Sequence, residues 1–178
     1  MNMKKVLAMM LAVLMIVTAT VAGTVAWLID NTAPVVNTFT TSDVDIELTE
    51  TTGENYKMIP GQPINKDPKV TVLADSEACW VFVKIEKTEN YDSFMNGYTV
   101  AAGWTELETG VYYREVIDTD ANQEFYVLDG NTLQVKTGVT KAMMDGLTGA
   151  NYPKLTFTAY AIQKAGFDNA AAAWDEIN

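Results

Sequence analysis

Apolar and polar residues alternate with a period of two along much of the chain beyond residue 43. Val44-Asp45-Ile46-Glu47-Leu48 sets apolar side chains on one face and carboxylates on the other, the mark of a strand with one buried face. Residues 69–73 repeat the alternation, and residues 35–40, preceded by Pro34, are rich in β-formers. Cys79-Trp80-Val81-Phe82-Val83-Lys84-Ile85 is apolar on both faces up to Lys84. That pattern predicts a strand central to its sheet, with the outer face also covered. Residues 98–101, 103–107 and 111–116 predict a meander. Residues 124–128 and 132–136 predict a hairpin across Asp129-Gly130-Asn131, because Asp-Gly suits the positive φ of a tight turn. Residues 155–162, apolar or threonine throughout, predict a late strand, and Pro60-Gly61 marks a turn. Two short helices follow from Thr140 capping 141–147 and Asp168 capping the alanine-rich stretch 169–177. The expected fold is all-β, a jelly-roll-like antiparallel β-sandwich with one or two short helices, preceded by an N-terminal hydrophobic signal helix.

The amino-terminal region follows a different pattern. Lys4 and Lys5 precede an uncharged apolar run over 6–22, and Thr24-Val25-Ala26 supplies small residues on either side of Val25. This is the layout of a secretory leader cleaved before Trp27. The uncharged stretch 6–25, roughly 20 residues, is also long enough to span a bilayer, so an uncleaved anchor is the alternative, and membrane contact is expected only through it. The expected organisation is a signal peptide over 1–26, an N-terminal segment over 27–42 and a sandwich over 43–178.

Charge and cysteine content narrow the partners. The chain of 178 residues has 12 basic and 23 acidic residues. The leader holds two of the bases and none of the acids, so the remainder carries ten bases against 23 acids, a net charge of −13. Such a surface repels nucleic acid and anionic lipid. Cys79 is the single cysteine, which rules out an intrachain disulfide. It lies in an apolar run, so a buried, inert thiol is expected, with an intermolecular disulfide as the alternative.

No constellation of catalytic residues stands out. The chain has no histidine, which removes HExxH zinc proteases, serine triads and Cys-His nucleophile pairs. Asp118, Asp120 and Asn122, with Asp129 further on, have a loose calcium-loop spacing but lack its glycine: Gln123 stands there. A solvated acidic loop is the other reading. No carboxylate pair is singled out for glycoside hydrolysis. Trp104, Tyr112 and Tyr113 are candidates for stacking on sugars or for sheet packing. No catalytic group and no cofactor are expected.

Three blocks resemble a known family. The first runs Gly23-Thr24-Val25-Ala26, Trp27-Leu28-Ile29-Asp30, Val36-Asn37-Thr38-Phe39-Thr40 and the acidic strand at 44–48. The second is Ile59-Pro60-Gly61-Gln62 with Lys66-Asp67 and the strands that follow. The third contains Thr158-Ala159-Tyr160-Ala161-Ile162-Gln163. Together they resemble the TasA and camelysin group of secreted Gram-positive proteins, which a SipW-type signal peptidase processes. Many members carry a glycine after the Asn-x-Phe segment, where this chain has Thr41-Ser42-Asp43. The resemblance implies a secreted structural protein of the cell surface or biofilm matrix, in contact with matrix or cell-wall components. It implies assembly head-to-tail into fibres, a homo-oligomer in which a freed N-terminal segment adds as a strand to the next subunit. The protease description attached to camelysins finds no residues to receive it here. The segment that cleavage would free contains Trp27, Val35, Val36, Thr38 and Phe39, an apolar and β-branched set suited to strand addition at an open sheet edge. In the alternative reading, 35–40 is the first strand of its own domain. A monomeric surface module binding carbohydrate or protein is the alternative function.

Overall fold

Short period-two segments bounded by turn residues form strands where neighbours satisfy their backbone and one face finds apolar cover. A computed structural model of the chain describes residues 43–53, 56–117 and 119–177. The signal helix and cleavage site expected at Thr24 to Trp27, and the N-terminal strand with Val35, Val36, Thr38 and Phe39, lie outside the described residues. So does Asp118.

The strands are β1 Ile46–Thr49, β2 Pro63–Asn65, β3 Lys69–Val72, β4 Cys79–Lys87, β5 Thr105–Glu108, β6 Val111–Val116, β7 Gln123–Tyr126, β8 Thr132–Gln134 and β9 Leu155–Gln163. The helices are α1 Tyr91–Phe94, α2 Lys141–Asp145 and α3 Ala170–Ile177. Every pairing is antiparallel, in sheets ordered β1-β3-β7 and β5-β6-β4-β9 and a ribbon β2-β8. The all-β expectation is met at this level.

β4 sits inside its sheet, between β6 and β9, and its two apolar faces serve two cores. Cys79, Val81, Val83 and Ile85 point inward, onto Val70 and Val72 of β3 in the facing sheet. Trp80 and Phe82 point outward and are roofed by Ala170, Ala173 and Trp174 of α3. Cys79 is fully buried, and burial pushes its thiol up to about 11, so it is screened from an intermolecular partner. A third cluster, with Tyr91, Phe94, Leu133 and Val135, packs α1 against the β2-β8 ribbon.

The turn at Pro60-Gly61 forms as its residues require: the Gln62 N–H donates to the Ile59 carbonyl over 3.0 Å, and Gly61 takes φ 76°. Thr140 caps α2, its Oγ1 accepting from the Met143 N–H at 3.3 Å. Other expectations are corrected. α3 is capped by Asn169, whose Oδ1 accepts from the Ala172 N–H at 3.0 Å, one residue beyond the expected Asp168. Residues 123–134 do not form a hairpin. β7 pairs with β3 and β8 with β2, because Val127 is buried in the inter-sheet core and Leu128 in the α1 cluster. The Asp129–Asn131 turn therefore carries the chain from one sheet to another, although Gly130 and Asn131 do take the expected positive φ, 61° and 50°. The strand expected at 98–101 shrinks to a single bridge between Val100 and Leu128.

Candidate functional site

The backbone amides of β9 alternate in direction, and that alternation exposes an edge. The Lys164 N–H donates to the Ala78 carbonyl at 2.7 Å and the Thr88 N–H to the Lys154 carbonyl at 3.1 Å. Both bonds join directly opposed residues, so the even-numbered residues of β9 exchange hydrogen bonds with β4. The odd ones, Leu155, Phe157, Ala159, Ala161 and Gln163, turn their N–H and C=O groups away from β4. Among the described residues no strand pairs with that outer side.

Sheet edges invite pairing with other chains, and proteins blunt them with charge, bulges or short length. Two of the other edges here are blunted. β5 has four residues, two of them glutamates, and its register breaks between Glu106 and Glu108. The outer side of β7 is approached by the 99–104 segment: the Ala101 N–H donates to the Val127 carbonyl and Trp104 Nε1–H to the Tyr126 carbonyl, each at 2.9 Å. Arg114 helps fill that side by stacking 3.6 Å from the centre of the Phe125 ring, and desolvation lowers its pKa. Among the described residues β1 comes close to β9, but no strand is hydrogen-bonded to the outer side of β9. Its nine residues are uncharged, with Lys154 and Lys164 just outside its ends.

Beside the first residues of β9 opens a cleft of about 1270 Å³. Met58, Met95, Met144, Leu147, Leu155 and Phe157 supply its apolar lining. Exposed Leu48, Ile59 and Tyr152 also lie along it. Over one wall lies a polar strap. Lys66 Nζ pairs with Glu50 at 2.6 Å and sits 5.5 Å from the Phe157 ring centre. Asp67 receives the N–H groups of Thr51 and Thr52, each at 3.0 Å, together with both threonine hydroxyls. These bonds hold its carboxyl down to about 2, the Thr51 hydroxyl being the largest cause. Tyr91 also lines the cleft; its buried hydroxyl has no partner among the described residues, and desolvation pushes it up to about 12.

The calcium candidates are not brought together. Asn122 and Asp129 flank β7 at opposite ends, and Asn122 Oδ1 is committed to the Ala74 N–H at 2.8 Å. Asp120 has an interaction of its own. Among the described residues no group of three or more His, Cys, Asp or Glu side chains is placed to hold a metal. The aromatic candidates are engaged in packing. Trp104 meets Phe125 edge-on at 6.4 Å, Tyr113 contacts Trp80 and Phe82, and Tyr112 packs on the inter-sheet core.

The cleft and the open edge were not foreseen from the sequence. The nine-residue uncharged run of β9 flanked by lysines is the one local signal for the edge. Nothing local marks the cleft, since residues 48–68 meet 144–157 only through the fold. Among the described residues no helix is long and apolar enough to cross a membrane. Comparison of the chain with family models, with curated proteins and with solved structures finds no match to any of them.

Proposed function

We propose that the protein is a secreted structural subunit of the cell surface or biofilm matrix. It assembles head-to-tail, residues 27–42 of one copy adding as a strand to the outer edge of β9 in the next. The observation that carries this reading is the long, uncharged edge of β9, to which no described strand is paired, where the β5 edge is short and charged and the β7 edge is covered. Beyond Pro34, residues 35–42 extended at ~3.3 Å each reach about 26 Å, close to the length of the nine-residue β9. Backbone hydrogen bonds from the odd-numbered residues of β9 supply affinity, and Val36, Thr38 and Phe39 supply side-chain selectivity. Because donor and acceptor surfaces differ, the contact repeats without closing. A SipW-type peptidase acting after Ala26 would free the donor, in keeping with the resemblance to the TasA and camelysin group, and a jelly-roll arrangement of the two larger sheets fits that group.

Electron microscopy and sedimentation of two chains test this, one starting at Trp27 and one at Asp43. The expected result is filaments from the first and a folded monomer from the second. Filaments from the chain starting at Asp43 would refute strand donation. A monomeric Trp27 chain at every concentration would favour a surface binding module, a reading that the cleft beside β9 supports.

A further inference from the structure

The cleft differs in charge from the rest of the molecule. The chain has a net charge of −11, yet the cleft is lined by Lys57, Lys66 and Lys154 against the single carboxylate of Glu50. Lysines elsewhere are engaged: Lys69, Lys84, Lys87, Lys141 and Lys164 are in ion pairs, and Lys136 donates to the Asp92 carbonyl. Lys66 is taken by Glu50. The ammonium groups of Lys57 and Lys154 alone have no ion-pair or hydrogen-bond partner among the described residues, and both stand at the cleft. With 23 acids in the chain, two unneutralised cations at one opening form a local attraction for an anion.

Below that opening the walls are apolar and adaptable. Four methionines lie beyond the leader, and three of them, Met58, Met95 and Met144, line the cleft with Leu147 and Phe157. Unbranched thioether side chains fit themselves to flexible apolar ligands. A cleft of about 1270 Å³ has ample room for a single alkyl chain. The two ammonium groups attract an anionic headgroup and repel a cationic one.

We propose that the cleft binds a single-chain anionic amphiphile of the long-chain carboxylate class, its carboxylate between Lys57 and Lys154 and its tail along Met58, Met95, Met144, Leu147 and Phe157. This site does not depend on strand donation, although it adjoins the start of β9.

Isothermal titration calorimetry of the full-length protein with dodecanoate, below its micelle concentration, tests the proposal. Dodecyltrimethylammonium, with the same tail and the opposite charge, and the double variant Lys57→Glu/Lys154→Glu serve as comparisons. Both lysines are exposed, so the double variant should fold normally, which circular dichroism checks. Dodecanoate should bind with one-to-one stoichiometry and the cationic amphiphile at least about tenfold more weakly. The charge reversal should weaken dodecanoate by about tenfold, as expected from losing partly exposed ion pairs. A second variant, Leu147→Glu, should abolish dodecanoate binding by placing a carboxylate in the tail channel. Equal binding of the two amphiphiles, or no response to the charge reversal, would overturn the proposal and indicate plain apolar adsorption. If the charge reversal abolished self-association while leaving dodecanoate binding intact, the lysines would belong to a protein–protein contact, and the proposal would fail in that way. Loss of filaments alone bears on strand donation and leaves these binding results standing.

Discussion

Proline placed at two adjacent positions of β9 distinguishes its inner edge from its outer one. At Thr158 the N–H faces β4, opposite Lys84, and takes part in the ladder. Thr158→Pro removes that donor, orphans the Lys84 carbonyl and drives the ring toward a strand only ~4.8 Å away. The orphaned acceptor costs about 1–3 kcal/mol, and with the steric conflict the loss should reach about 3 kcal/mol or more. At Ala159, opposite Val83, the N–H points away from β4, so the same substitution breaks no ladder bond among the described residues. Its cost is the shift of φ toward −65°, about 1 kcal/mol. Urea denaturation of the two variants of the chain starting at Trp27, followed by tryptophan fluorescence, measures both values. The same samples are then tested for filaments by light scattering. The expected outcome is a clear separation in stability, with Ala159→Pro folded yet unable to assemble. Equal destabilisation would refute the assignment of odd-numbered amides to the outer edge. Filaments from Ala159→Pro would show that subunits join elsewhere.

Other consequences are open to direct measurement. Trp174 is 5% exposed, lies 5.1 Å from the Phe82 ring and 5.4 Å from the Tyr160 ring, and donates from Nε1 to Glu108 at 3.0 Å. Trp174→Ala should therefore cost about 3–5 kcal/mol in chemical denaturation, and a loss under about 1 kcal/mol would mean that α3 contributes little to the outer face. The Asp67 carboxyl sits at about 2 when folded against 3.8 for the free group, so its support for the 50–53 turn is complete above pH 4 and is lost as pH falls through about 2. Hydrogen exchange at the Thr51 and Thr52 amides should speed up across that window beyond the intrinsic pH effect, and Asp67→Asn should remove the transition.

Phe157 shows how a local pattern and a long-range fact combine. The alternation of residues 155–162 puts it on the inward face with Ala159, and the register confirms the pairing Phe157 with Ile85. That face is only partly covered at this end, since the cleft opens there, so Phe157 is half-buried and its removal should cost less than a fully enclosed phenylalanine. The misassigned hairpin has a similar origin. Asp129-Gly130-Asn131 specifies a tight turn with positive φ, and such a turn forms. Whether the strands on either side pair with each other depends on where Val127 and Leu128 find cover, which turn chemistry does not encode.

The sequence by itself determined the class of fold, the central position of β4 with both faces buried, the Pro60-Gly61 turn and the Thr140 cap. Each rests on period-two patterning or on contacts within a few residues, which local sterics and hydrogen bonding settle. The tertiary structure alone decided that β9 lies at a sheet edge, which of its amides turn outward, and that Lys57 and Lys154 both line one cleft. Those outcomes depend on groups tens of residues apart in the chain, brought together by burying a shared core, and no short-range pattern records which strand is left without a neighbour.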